Sequence, residues 1–288
     1  MTAVVPTSAL PTRKRPLLGW NITDGAAVSR YDLVQTLRVP ELMFFSIVQP
    51  IMFVLLFAYV FGGAIPIPGA GEASENSAEI YRNYLMPGIF GQTVAFAAAA
   101  STVGMAEAMS TGLIDRFRSL PMANGAVLIG RTFADAARQI LVLAVLSLTG
   151  LLVGWRINGG FWNAVWAYCL LLLFAYTVSW IGASIGLVMP NVETASTAGL
   201  VWLFPVTFIS NAFVPLTSLP TFLQTVAAWN PVSTVVLSAR ELFGNPTGIQ
   251  PDYWPLQHPE LYTIISCVVL IAIFATISIR KYSKTTSR

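Results

Sequence analysis

The sequence predicts an all-α integral membrane protein with six transmembrane helices, an N-terminal interfacial helix, a cytoplasmic helix between spans 2 and 3, and two short extracellular re-entrant helices before span 6. Three observations predict it. Charged residues are 10% of the 288 while aliphatic and aromatic types reach 55%. Soluble domains carry about 25% charged residues, and a mean hydropathy of +0.68 leaves more apolar surface than a soluble core of this length can hide. Uncharged runs occupy 42–71, 83–106, 139–155, 157–192, 194–239 and 261–279, and roughly 20 apolar residues cross a bilayer. The third observation is where the cations fall, which sets the parity of the crossings.

Residues 1–25 read as a disordered cytoplasmic N-terminus. "RKR" at 13–15 is followed by polar sequence and not by an apolar block, so no cleavable signal is expected. Residues 26–40 form an amphipathic segment with Ala27, Tyr31, Leu33, Val34 and Leu37 on one side and Ser29, Asp32, Gln35 and Thr36 on the other. Arg30 and Arg38 reach lipid phosphates from it, and Pro40 turns the chain into the first span. Spans are expected at about 42–64, 84–108, 126–154, 161–188, 195–215 and 260–280. The third uncharged run is short, but its span starts earlier, with Asp135 and Arg138 paired at i and i+3 while Arg138 snorkels.

The run 194–239 could cross once or twice. One crossing puts Arg13, Lys14, Arg15, Arg30, Arg38, Arg116, Arg118, Arg131, Arg280, Lys281, Lys284 and Arg288 on one face, leaving Arg82, Arg156 and Arg240 on the other with Glu72, Glu75, Glu79, Glu241, Asp252 and Glu260. By the positive-inside rule the first face is cytoplasmic, together with both termini and the tail 281–288. The remainder, 217–245, is cut by Pro220, Asn230–Pro231 and Asn245–Pro246 into two short helices that enter the outer leaflet and turn back. Trp155, Trp162 and Trp166 are expected as an outer aromatic belt.

"GLIDRFRSLPMANG", 112–125, then lies in the cytoplasm. Leu113, Ile114, Phe117 and Leu120 share one helical face, Asp115, Arg116, Arg118 and Ser119 the other, and Pro121 ends the helix. Two roles fit the stretch alone: a lever clamped between two spans, or a helix lying on head groups. Glu107, near the cytoplasmic end of span 2, needs hydration or a partner; Arg116, Arg131, a residue of another subunit and plain interface depth all remain open.

Gln49, Gln92 and Asn211 are polar groups inside spans, and Phe53, Phe96, Phe204 and Phe208 are aromatics that suit a greasy route. Such polar groups more often join helices by hydrogen bonds, and such aromatics more often face lipid or neighbouring helices. Cys169 and Cys267 stand about a hundred residues apart with no ligand spacing, and read as small buried residues. His258 has no second histidine or cysteine beside it, so no metal site is expected. A net charge of +3 suggests no nucleic-acid partner.

The stretch "GLIDRFRSLPMANGAVLIGRTFADAAR" with Glu107 upstream, "PIMFVLLFAYVFGGA" and "FVPLTSLPTFLQTVAAWNPVSTVVLSARELFGNP" resemble, in this order, the permeases of the ABC type-2 transporter family, and its daunorubicin-resistance exporter branch most of all. In relatives the loop acid is often glutamate; Asp115 keeps the charge on a shorter arm. The resemblance implies a permease without its own nucleotide site, paired with two copies of a separate ATPase that uses ATP and Mg, and with a second permease chain, identical or paralogous. It implies that residues 113–120 form a coupling helix docked on the ATPase, that the first interfacial helix packs against the same subunit, and that the outer helices, carrying Pro220, Phe222, Trp229 and Pro231, close the pathway from outside. The 288 residues hold no G-x4-G-K-[ST] phosphate loop, so the chain is not expected to act on ATP alone.

The implied function is a plasma-membrane exporter subunit, bacterial inner membrane by its branch, surrounded by lipid and moving a drug or lipid-like molecule outward. A lipid, glycolipid or polysaccharide exporter of the same architecture is the alternative. A membrane-embedded transferase would need clustered His, Asp or Glu facing one leaflet, and a self-powered carrier would need intramembrane ionisable groups.

Overall fold

A computed structural model of the chain describes residues 17–38, 40–60, 77–112 and 125–285. Among these residues every regular element is a helix. The first, α1, runs Leu17–Arg38. This corrects the expectation of disorder up to residue 25: helix begins at Leu17, well before the amphipathic segment.

Next, α2 spans Pro40–Val60, with Pro40 at the first helical position, where its missing N–H costs nothing. The long α3 covers Ser77–Ser110, so span 2 starts earlier than its uncharged run. Gly112, at φ 67°, closes α3 in a left-handed turn, its N–H bonding to Met109 O at 3.3 Å. The coupling segment 113–120 lies outside the described residues.

Two regular spans follow, α4 at Ala126–Val153 and α5 at Phe161–Gly186. Gly154 ends α4 at φ 105°, a conformation a side chain would strain. In membranes, small residues at interfaces let helix backbones approach. α3 packs along α5 in this way, through Gly182 and Gly186, one turn apart and seated over the carbonyls of Ala98 and Thr102.

The fifth span is not the single helix expected over 195–215. It breaks into α6, Val192–Val201, and α7, Leu203–Phe208, followed by irregular chain up to a single 3-10 turn at Leu216–Ser218. The chain then forms α8, Thr221–Ala228, and α9, Pro231–Phe243, with a further turn of helix, α10, at Trp254–Gln257. The last helix, α11, runs Pro259–Thr285 and so continues into the expected tail. Four helices among the described residues, α3, α4, α5 and α11, are long and apolar enough to cross a membrane; α2 contributes a shorter apolar stretch, Ile47–Val60.

The main core gathers α2, α3, α4, α5, α7 and α9 around Tyr84, Phe90, Trp155 and Phe243. Trp155 is therefore no belt residue. It is fully buried, edge-on to Phe90 and Phe243, and its Nε1–H donates to Asn245 Oδ1 at 2.8 Å. Trp162 and Trp166 are exposed as expected, and Trp166 donates to Glu260 at 2.8 Å. Cys267 is buried but Cys169 is exposed, against expectation, because its side of α5 faces outward.

Candidate functional site

Two features bring the predicted residues together: a ladder of aromatic rings beside the break between α7 and α8, and a charge node where α1, α3 and α4 meet.

The ladder starts on α2. Phe53 stacks on Phe57 at 6.0 Å between centroids, and Phe57 on Phe213 at 4.7 Å. From Phe213 it continues to Phe208 at 5.9 Å, Phe204 at 5.8 Å, and edge-on to Phe96 of α3 at 5.6 Å. Ring pairs at these spacings favour one another beyond their buried area. Four predicted pathway residues, Phe53, Phe96, Phe204 and Phe208, thus join one surface, with Phe57 and Phe213 added. Phe204 and Phe208 keep about half their surface open. Gln49 is exposed one turn before Phe53, whereas Gln92 is buried on α3.

Asn211 lies at the break itself and is fully buried. Unwound backbone at membrane depth needs internal partners for its carbonyls. α9 supplies them from two side chains. Asn230 Nδ2 donates to Val206 O at 2.6 Å and Ile209 O at 2.8 Å, while its Oδ1 caps α9 by accepting from the Val232 N–H. Arg240, also fully buried, donates through Nη2 to Asn211 O at 2.8 Å and Ala212 O at 3.0 Å, and through Nε to Tyr84 O at 2.9 Å. Its guanidinium lies 3.6 Å from the Tyr84 ring centre.

Sequence reasoning saw Asn230 only as a turn former and Arg240 only as an outer charge. An uncharged run of 46 residues ending at a single arginine is the signal that could have flagged Arg240.

The predicted outer-gate residues sit on the same hairpin. Pro220 and Phe222 are exposed at the start of α8. Trp229 is half-exposed, and its carbonyl accepts from Tyr262 Oη at 2.7 Å. Pro231 opens α9.

At the other end, Arg131 of α4 reaches α3 and donates to Gly104 O at 2.6 Å. Its cation feels Asp32 of α1 and Glu107 of α3, so three helix ends share one charge node. Glu107 itself is exposed, and its carbonyl accepts from Thr111 Oγ1 at 2.9 Å. Asp135 pairs with Arg138 and also accepts from Ser101 of α3 at 2.6 Å.

The interfacial helix presents a different face from the one expected. Gly25, Val28 and Ser29 pack against α4, and Ser29 Oγ lies 2.6 Å from Gly130 O. The face carrying Ser29 and Asp32 therefore meets protein, while Arg30 and Tyr31 stay exposed and Leu33 is half-buried. The side chains of Leu37 and Arg38 lie outside the described residues.

Burial raises the Asp32 carboxyl above its ordinary value of 3.8, against the pull of Arg131 and Arg138. A raised folded-state value means the contribution to docking is complete below 3.8 and fades as the pH rises through the raised value. Protection factors of the α1 amides should therefore rise as the pH is lowered towards 3.8, with the gain removed in Asp32→Asn. An equal gain in the variant places the titration elsewhere.

A sequence model described as ABC-2 type transporter matches residues 25–243. This chain belongs to the ABC-2 type transporter family. It is similar to the daunorubicin resistance ABC transporter permease protein DrrB1 of Streptomyces coeruleorubidus, 32% identical over 238 residues, covering 82% of this chain and 77% of that protein. It is also similar to the doxorubicin resistance ABC transporter permease protein DrrB of Mycobacterium tuberculosis, at 27% over 231 residues and 79% of each chain. A third relative is the putative transport permease ycf38 of Cyanophora paradoxa, 22% identical over 74% of this chain and 71% of its own. The family match covers α1 from Gly25 to the end of α9. This ABC-2 chain is accordingly a multi-pass membrane protein, as its long apolar helices require.

Proposed function

We propose that this chain is the permease subunit of an ATP-driven exporter that moves a hydrophobic or amphipathic compound, drug or lipid-like, out of the cell. The observation that carries the reading is the family match across residues 25–243, with relatives named as daunorubicin and doxorubicin resistance permeases. In this reading the chain crosses the bacterial inner membrane six times with both termini cytoplasmic, α2 and the broken α6–α7 helix supplying spans 1 and 5.

Two ATPase subunits bind below the membrane. Leu113, Ile114, Asp115, Arg116, Phe117, Arg118, Ser119 and Leu120 dock on them, and Glu107 joins the charge node that ties α3 to α4 and α1. ATP and Mg are used only by those partners. A second permease chain faces the open side of the aromatic ladder, where the half-exposed rings of Phe204 and Phe208 offer an apolar cargo their surface. The α8–α9 hairpin closes the outer end by holding the break in span 5, and moving the hairpin moves that break.

The test is co-expression with the partner ATPase and transport into inverted vesicles. Phe117→Ala and Arg118→Ala should lower ATP-dependent transport about five- to 150-fold, the range of a 1–3 kcal/mol coupling, with membrane insertion unchanged. Wild-type transport and co-purification in both variants would overturn the coupling assignment.

A further inference from the structure

The carbonyls at the span-5 break use only part of Arg240. Its Nη1 has no hydrogen-bond partner, although the residue is fully buried. Beside it, Asn211 is fully buried with neither Oδ1 nor Nδ2 partnered, and the buried Tyr81 hydroxyl has no partner either. The three groups belong to one small region. Arg240 bonds to Asn211 O, Tyr84 Oη approaches the same carbonyl at 3.3 Å, and Tyr81 stands one turn from Tyr84 on the same face of α3. Unpaired buried polar groups are costly and uncommon in folded proteins.

Arg240 has no carboxylate partner among the described residues, and the ionisable groups it feels are the phenols of Tyr84 and Tyr81. What is unsatisfied is mostly donor: the Nη1 hydrogens, the Asn211 amide hydrogens and one phenol, against a single amide oxygen. A buried cation with spare donors and no counter-charge is the complement of an anion.

We infer that Arg240, Asn211 and Tyr81 form a binding subsite for an anionic group, a phosphate or carboxylate, at the outer end of the molecule beside the break in span 5. The inference deepens the transport reading and rests on it, because it assigns the cargo an acidic head group where the ladder receives its apolar body. The donors are sealed in this conformation, so an anion reaches them only when the break moves. Occupancy is thereby tied to the motion of the α8–α9 hairpin.

The experiment uses the permease purified with its ATPase in a neutral maltoside detergent, with thermal midpoints followed by tryptophan fluorescence. The probes are decyl phosphate, decyltrimethylammonium and inorganic phosphate. Two variants leave every hydrogen bond described above in place: Tyr81→Phe, and Asn211→Leu, which removes only an unpartnered amide. If those groups are merely buried, both variants are as stable as wild type or more so, and respond to probes as wild type does.

The subsite predicts that decyl phosphate raises the wild-type midpoint and that its half-saturating concentration rises about tenfold or more in each variant. Equal protection by inorganic phosphate alone supports the subsite and identifies a free anion as its occupant. Equal protection by decyltrimethylammonium, no shift with any probe, or wild-type responses in the variants overturns it. Co-purification of the ATPase, scored in the same preparations, reports separately on the permease reading.

Discussion

Arg240→Met should destabilise the docking of α9 on α3 and on the break after α7. The substitution removes the donors to Tyr84 O, Asn211 O and Ala212 O in one step. A buried carbonyl left without a partner costs about 1–3 kcal/mol. Replacing a buried charge with an apolar side chain is neutral in some proteins, because the desolvation cost of the ion disappears as well. Here two of the partners, Asn211 O and Ala212 O, are backbone carbonyls of an unwound segment, and they remain after the substitution. Tyr84 Oη still approaches Asn211 O at 3.3 Å and Tyr84 O keeps its place in the α3 helical ladder, but no such second donor is described for Ala212 O. The expected loss is about 1–3 kcal/mol for each carbonyl left unpaired, visible as a diminished monodisperse peak in detergent and a lowered thermal midpoint. Asn230→Ala should act in the same direction but less, since it frees Val206 O and Ile209 O and removes the α9 cap. A wild-type midpoint for Arg240→Met would mean the break is not held by this side chain.

The second large effect is expected at the α3–α5 interface. A Cβ on Gly182 would stand 2.3 Å from Ala98 O, and one on Gly186 would stand 2.4 Å from Thr102 O. Both obstacles are backbone, so no side chain can turn aside and the helices must separate. Overpacking costs typically 1–3 kcal/mol and sometimes more, and this interface is the most extensive between helices among the described residues. Gly182→Leu should therefore lower the midpoint by an amount matching at least about 3 kcal/mol, and the double variant with Gly186→Leu should not accumulate in the membrane. Gly25→Ala is the control. Its added Cβ would meet nothing nearer than 3.5 Å, so it should be tolerated. If Gly182→Leu is as stable as Gly25→Ala, close backbone contact does not organise this pair.

Much of the fold was legible because membrane burial is local. Each residue of α4, α5 or α11 answers to the lipid around it, so a run without charge reports a helix without reference to the rest of the chain. The break in span 5 was not legible in this way. "STAGLVWLFPVTFISNAFVP" is apolar enough for one helix, and Pro205 is no guide, since Pro50 and Pro87 lie inside continuous helices. Helix can stop after Phe208 because Asn230 and Arg240, more than twenty residues further on, fold back to serve the freed carbonyls. The face of α1 was misjudged for a similar reason. Ser29 and Asp32 look like a water-facing stripe until Gly130 and Arg131 are placed beside them. Gly182 and Gly186 were visible in the sequence, yet only Ala98 and Thr102 show what they touch.

The sequence by itself determined the membrane setting, the long apolar helices and the aromatic residues available to a pathway, because hydropathy and side-chain type act over single turns. Tertiary structure alone decided which rings join, which face of α1 is held, and how an arginine survives away from water. Those outcomes depend on hydrogen-bond partners far apart in the chain, and a linear pattern carries no record of who meets whom.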